Sequence, residues 1–170
     1  RISFFKNLSQ IIHVDSGGKV LNNIGGKVKD KMEFIKDYKF VISFENSLQD
    51  GYTTEKILEP IMSDCIPIYW GNKKIQNDFN TERFINYHDF KNEASVFEQL
   101  IKINENSDLA IEMLQKNVFS VKNNSCIEHR NNVFSIIETV LNSDKIPVAR
   151  TYLNKIHRLK IRMEEITNSL

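Results

Sequence analysis

Residues 38–71 read YKFVISFENSLQDGYTTEKILEPIMSDCIPIYWG. The run Phe40-Val41-Ile42-Ser43-Phe44 is short, apolar and partly β-branched, which predicts a strand. A polar, Gly-containing loop over 45–53 follows, then a helical pattern over 54–63. A second apolar run over 66–70 closes at Gly71. Strand, loop, helix, strand is a βαβ unit. Its strands must be parallel, and ligands of such units bind beyond the carboxyl ends of the strands. At that end the loop and helix start carry Glu45, Asn46, Tyr52, Glu55 and Lys56, a composition that predicts a site for an anionic ligand.

Upstream, Ile2, Phe5, Leu8 and Ile12 recur at helical spacing, predicting a helix over 1–12 that is already under way at Arg1. Residues 14–26 (VDSGGKVLNNIGG) predict a loop, with a short strand near Val14 and glycine pairs that permit positive φ and close backbone approach. A helix is expected over 30–38. Downstream, residues 72–80 are polar, with Ile75 and Phe79 spaced for a short helix. Residues 83–87 (RFINY) predict a third strand, and helices follow over 93–104 and 108–115. A polar connector over 118–130 leads to a helix over 131–142. Pro147 breaks the chain, and a charged amphipathic helix occupies 149–166. Early βα alternation followed by helices makes this an α/β fold with a helical C-terminal portion.

The 170 residues suffice for one domain, and 41% hydrophobic with 26% charged residues suits a packed globular chain. The net charge of +1 and pI near 7.9 give no global basic field for nucleic acid. Two cysteines, Cys65 and Cys126, show no zinc spacing, and Cys65 reads as a buried free thiol. No apolar run reaches the length of about 18 residues that spans a membrane, and no signal peptide is visible. The chain opens at Arg1, inside a helical pattern and without methionine, so it reads as a fragment.

The helix start near Thr54 offers backbone N–H groups and a partial positive charge. Lys56 in the first turn adds a full one. A cation there opposes the macrodipole at a cost of about 0.3–1 kcal/mol, which an anionic ligand would offset; the alternative is a lysine pointing into solvent. Glu55 complements the dipole and reads first as a helix stabiliser, second as a partner for sugar hydroxyls or a cationic carbon. Asn46 is a two-way hydrogen-bonding residue or a turn former. Glu45 satisfies backbone or a neighbouring lysine. Tyr52 packs on a ring, meets a phosphate or anchors the loop. Gly71 enables a turn after Trp70. His13, His88, His129 and His157 share no metal or triad spacing and read as structural or surface residues. No metal-binding motif is evident.

The joint occurrence of FEN, Y-x-TEK and the IPIYWG strand resembles the signature of the α-1,3/1,4-fucosyltransferases, glycosyltransferase family 10. The likeness runs from Arg1 through Asp15 and Val28 to DFNTERFINYHDF and about residue 115. The resemblance implies a Rossmann-like parallel sheet with flanking helices, the C-terminal lobe of a two-lobed GT-B enzyme. That lobe would span 1–146, with 147–170 as a C-terminal amphipathic helix. It also implies inverting transfer of L-fucose from GDP-β-L-fucose to a hydroxyl of an N-acetylglucosamine-containing glycan. By motif, Arg1 and Lys56 correspond to diphosphate cations, and Asn46 and Tyr52 to ribose–diphosphate contacts. Glu55 corresponds to a fucose contact and Val28 to a residue against the nucleoside. No cofactor or metal is implied. The general base belongs to the family's N-terminal acceptor lobe, so no base is expected in this chain. Thr53 stands where many relatives carry a β-branched apolar residue.

Two other readings compete: a GT-B lobe for another nucleotide sugar, and a non-catalytic binding module. The terminal helix, with Lys155, Arg158, Lys160 and Arg162, suits a solvated face, or peripheral membrane or partner contact. The resemblance implies a cytoplasmic or membrane-peripheral location for a bacterial protein and the Golgi membrane for a eukaryotic one.

Overall fold

Three parallel strands organise the chain in the computed structural model, which describes residues 1–120 and 125–142. They are β1 (Phe40–Phe44), β2 (Ile66–Trp70) and β3 (Ile85–Asn86), in the spatial order β1-β2-β3. Phe40 pairs with Ile66 and Phe44 with Trp70; Ile68 pairs with Ile85 and Tyr69 with Asn86. The central strand β2 is buried on both faces, which is why it reads as continuously apolar rather than alternating.

Side-chain alternation along β2 sorts the core into two layers. Ile66 and Ile68 face one layer, with Phe4 and Leu8 of α1 (Ile2–Leu8) and Phe44. Val96, Phe97, Leu100 and Ile103 of α4 (Glu93–Glu105) and Ala110 of α5 (Ser107–Gln115) complete it. Tyr69 faces the other layer, with Ile57 and Ile61 of α3 (Glu55–Met62) and with Ile75, Phe79 and Phe84. A sheet covered by helices on both faces is the expected α/β arrangement. A short helix α2 (Lys31–Ile35), capped by Asp30 accepting from the Glu33 N–H, packs against α3. Cys65 is fully buried and donates to the Ile35 carbonyl at 3.1 Å; burial pushes its thiol up, as for an inert core cysteine.

Several expected elements come out shorter or shifted. The first helix ends at Leu8, where the Ser9 hydroxyl bonds back to the Phe5 carbonyl, and Arg1 is its N-cap. No strand forms at Val14; the 14–26 loop is tied by its own asparagines, with Asn23 bridging the Ser16 N–H and the Val14 carbonyl. The helix expected over 30–38 stops at Ile35. The strand expected over 83–87 contracts to Ile85–Asn86. Residues Thr81–Arg83 form a 3-10 turn, and the buried Arg83 guanidinium donates to the Cys65 carbonyl at 3.2 Å. The polar connector over 118–130 is overturned in part, since α6 (Ser125–Leu141) begins at Ser125.

The chain divides into two compact units, Arg1–Asn123 and Asn124–Leu170. The helix expected over 149–166 lies outside the described residues. No helix among the described residues is long and apolar enough to cross a membrane.

Candidate nucleotide-sugar site

The carboxyl end of β1 runs directly into Glu45, whose side chain is completely buried. A buried carboxylate must be paired. It accepts from the Thr54 N–H and from the Thr54 hydroxyl, each at 2.8 Å, and lies 3.5 Å from the Lys56 ammonium. Thr54 is the N-cap of α3 and accepts in turn from the Lys56 N–H at 3.4 Å and from Lys56 Nζ at 3.1 Å. Glu55 meets Lys56 at 3.3 Å.

This arrangement changes the account of Lys56 at a helix N-terminus. Two carboxylates, Glu45 and Glu55, already offset the lysine charge against the macrodipole. No ligand is needed to explain its presence there. The Thr54 and Lys56 N–H groups are also engaged within the chain. Burial works against the Lys56 ammonium, but the Glu55 hydrogen bond and the fields of Glu45 and Glu55 outweigh it and hold its pKa above the ordinary value. Glu55 is held below the usual carboxylate range by its own backbone N–H and by Lys56, so it is anionic at neutral pH.

Arg1 reaches across from the start of α1. Its guanidinium donates to the Phe44 carbonyl and, at 3.1 Å, to Asn46 Oδ1. Arg1, Val28 and Lys56 line one cavity of about 920 Å³, whose walls include Asp15, Gly17 and Tyr38 and the β1 face at Phe40–Ile42. Asn46 lines a second cavity of about 480 Å³, shared with Arg1, Trp70 and Glu93. Tyr52 and Glu55 line neither. The loop carrying Tyr52 is fixed from below by Asn72, which is 1% exposed. Its Oδ1 accepts from the Gly51 and Lys74 N–H groups, and its Nδ2 donates to the Thr53 hydroxyl. Val28 sits on the bare backbone of Gly17, where an added Cβ would lie 2.1 Å from Val28 Cγ2.

Sequence reasoning named neither Asn72 nor the pair Asp15–Tyr38 as site residues. The Tyr38 hydroxyl donates to Asp15 Oδ2 at 2.7 Å, and His13 approaches Asp15 at 2.9 Å. The Tyr38–Asp15 pair joins segments 23 residues apart and leaves no local pattern. The Tyr38 hydrogen bond lowers the Asp15 pKa, and Asp15 pushes Tyr38 up to about 12. The Tyr38 contribution to stability is therefore full below pH about 10 and disappears as pH rises toward 12. The Asp15 contribution is full above its ordinary value and disappears as pH falls through its lowered one. Asp15→Asn is expected to bring the Tyr38 titration, followed by its 13Cζ resonance, down toward 10; an unchanged midpoint would show that the pair does not form.

Gly71 closes β2 for a reason other than the turn expected for it. Its φ is not in the left-handed region; an added Cβ would lie 2.5 Å from Glu45 Cγ and 2.8 Å from the Tyr69 hydroxyl. Its missing side chain is the space that Glu45 occupies. Among the described residues no group of three or more His, Cys, Asp or Glu side chains is arranged to hold a metal ion.

Comparison with known proteins places these features. The chain is 35% identical over 150 residues to alpha-(1,3)-fucosyltransferase FucT of Helicobacter pylori, covering 86% of this chain and 31% of that protein. It is 27% identical over 113 residues to 4-galactosyl-N-acetylglucosaminide 3-alpha-L-fucosyltransferase 9 of Mus musculus, covering 64% and 31%. A crystal structure of an alpha1,3-fucosyltransferase with GDP-fucose superposes with a TM-score of 0.76 at 33% identity, over 85% of this chain and 44% of that one. The chain thus spans about a third of these curated relatives and under half of the solved enzyme. The family model for the C-terminal part of glycosyltransferase family 10 (fucosyltransferase) matches residues 1–150, well beyond the residue 115 at which the motif likeness fades. With the three-stranded parallel sheet and its covering helices matching the solved enzyme as well, the chain belongs to glycosyltransferase family 10, within that family's C-terminal domain.

Proposed function

We propose that the chain binds GDP-β-L-fucose and serves as the donor-binding lobe of an inverting fucosyltransferase acting on an N-acetylglucosamine-containing glycan. The observation that carries this reading is the convergence of Arg1, Val28 and Lys56 on one cavity, at the sheet end where α3 begins. The relative solved with GDP-fucose supports the choice of ligand. In this reading Arg1 and Lys56 hold the diphosphate, Val28 lies against the nucleoside, and Asn46 and Tyr52 approach the ribose and diphosphate. In this reading the donor-binding lobe runs through residue 146, which the family match to residue 150 supports; residues 147–170 lie outside the described residues.

The chemistry follows from the charges. In transfer, the bond from the anomeric carbon to the β-phosphate oxygen breaks, and the acceptor oxygen bonds that carbon from the opposite face. Charge grows on GDP as it leaves, so cations at the diphosphate act on the transition state more than on the ground state. Glu55, anionic at neutral pH, suits a carbon gaining positive charge. The acceptor proton goes to a base on another lobe; no residue of this chain is assigned that role.

Calorimetry of the chain with GDP-fucose and GDP tests the reading. Saturable binding of both is expected, weakened about tenfold or more in Arg1→Ala, which removes one diphosphate cation. Equal affinity in wild type and variant, or preference for another nucleotide sugar, would overturn it.

A further inference from the structure

We infer that Glu45 is a positioning residue of the donor site, aiming Lys56 by fixing the proton of Thr54; the inference rests on the donor-binding reading above. The Glu45 carboxylate is the most deeply buried charge beside the candidate diphosphate cations, and a cavity-lining lysine gains nothing in anion affinity from a carboxylate 3.5 Å away. Its value must lie in placement. Glu45 Oε2 accepts the single proton of the Thr54 hydroxyl at 2.8 Å. With that proton committed, Thr54 Oγ1 presents only lone pairs to the other side. There it accepts from the Lys56 backbone N–H at 3.4 Å and from Lys56 Nζ at 3.1 Å. Glu45 Oε1, holding the Thr54 N–H at 2.8 Å, fixes the backbone from which this geometry hangs. The residues come from three separate segments: the end of β1, the N-cap of α3, and Gly71 after β2, whose absent side chain leaves room for the carboxylate.

The roles are chemically ordered, so an isosteric neutral residue does not substitute. A glutamine at position 45 carries one acceptor oxygen and one donor nitrogen, while Thr54 offers it two donors. One contact must invert. The Thr54 hydroxyl then turns to accept from the glutamine and directs its proton toward Lys56, where two donors already stand. Preorganisation of the ammonium is lost although size and shape are kept.

A double-mutant cycle on GDP affinity tests this. Glu45→Gln is expected to weaken GDP binding roughly tenfold in the wild-type background but not to weaken it in a Lys56→Met background, where it removes an unpaired carboxylate beside the anion. Thr54→Val, which removes the relaying hydroxyl, is expected to show the same dependence on Lys56. Equal weakening in both backgrounds marks a general structural role and overturns the inference, as does no weakening at all. A measurement without nucleotide separates this from the donor reading. In the free chain, Glu45→Gln is expected to move the Thr54 backbone amide proton resonance upfield, as a charge-assisted bond is replaced by a neutral one, and the Lys56 amide upfield, as the turned Thr54 hydroxyl ceases to accept from it. If wild type fails to bind GDP, the donor reading falls by that result; unmoved amides overturn the Glu45–Thr54 relay whatever GDP does.

Discussion

Lys56→Ala is expected to weaken GDP binding by about 100- to 1000-fold, or ~3–4 kcal/mol. Three effects act in the same direction. The Lys56 side chain is 22% exposed, so its attraction for a diphosphate operates in a medium less polar than bulk water. Its loss also strands Glu45. That carboxylate has no solvent access and keeps its bonds to Thr54 but loses its only cationic partner among the described residues. An uncompensated negative charge then stands beside the place where a second anion must bind. Finally, Thr54 loses one of its acceptor contacts, which loosens the cap of α3. Arg1→Ala removes attraction and two hydrogen bonds but strands no charge, because Arg1 is exposed and its neighbours Phe44 and Asn46 are uncharged. The lysine variant is therefore expected to be worse than the arginine variant. Titration calorimetry of both, with circular dichroism to confirm folding, decides the order. A loss below threefold at Lys56 would remove it from the site.

The βαβ unit was legible from sequence nearly to the residue. Runs over 40–44 and 66–70 became β1 and β2, and a helix expected over 54–63 became Glu55–Met62. Those signals are local. Short β-branched runs fit buried strands, and Thr54 is a good N-cap residue. The third strand was over-read because Phe84 and Ile85 look like a strand, while the flanking side chains do other work: Arg83 seeks the Cys65 carbonyl, and Asn86 caps the next turn. The start of α6 was under-read because residues 125–130 carry no apolar period, and the helix there includes charged and polar residues. At the site, residue types near the strand end were visible, but their pairing was not. Glu45 was correctly read as satisfying backbone and a lysine. Its dependence on the space left by Gly71, 26 positions later in the chain, needs coordinates. The same holds for Asn72 beneath the Tyr52 loop, and for Tyr38 on Asp15.

Phe4→Ala is expected to destabilise the Arg1–Asn123 unit by about 3–5 kcal/mol, the cost of emptying a well-packed aromatic site. Phe4 is 1% exposed, and its ring lies 4.8 Å from Phe44 and 5.1 Å from Phe97, with Tyr87 at 6.1 Å. It therefore ties α1 to the end of β1 and to α4 at once. These neighbours belong to the sheet and a long helix, so they cannot all collapse inward, and most of the cavity persists. The effect reaches the site through a short path. Arg1 caps the same helix and lays its guanidinium on the Phe44 carbonyl, so the ring contact between Phe4 and Phe44 sets the height of Arg1 above the cavity. Under conditions where the variant is still folded, GDP affinity is expected to fall severalfold, although Phe4 lines only the neighbouring, smaller cavity. Urea unfolding gives the first quantity and calorimetry the second. A stability loss under about 1 kcal/mol would mean that α1 is not docked through this ring. Full stability loss with unchanged GDP affinity would mean that Arg1 is placed by its backbone bond alone, and that α1 merely delivers it.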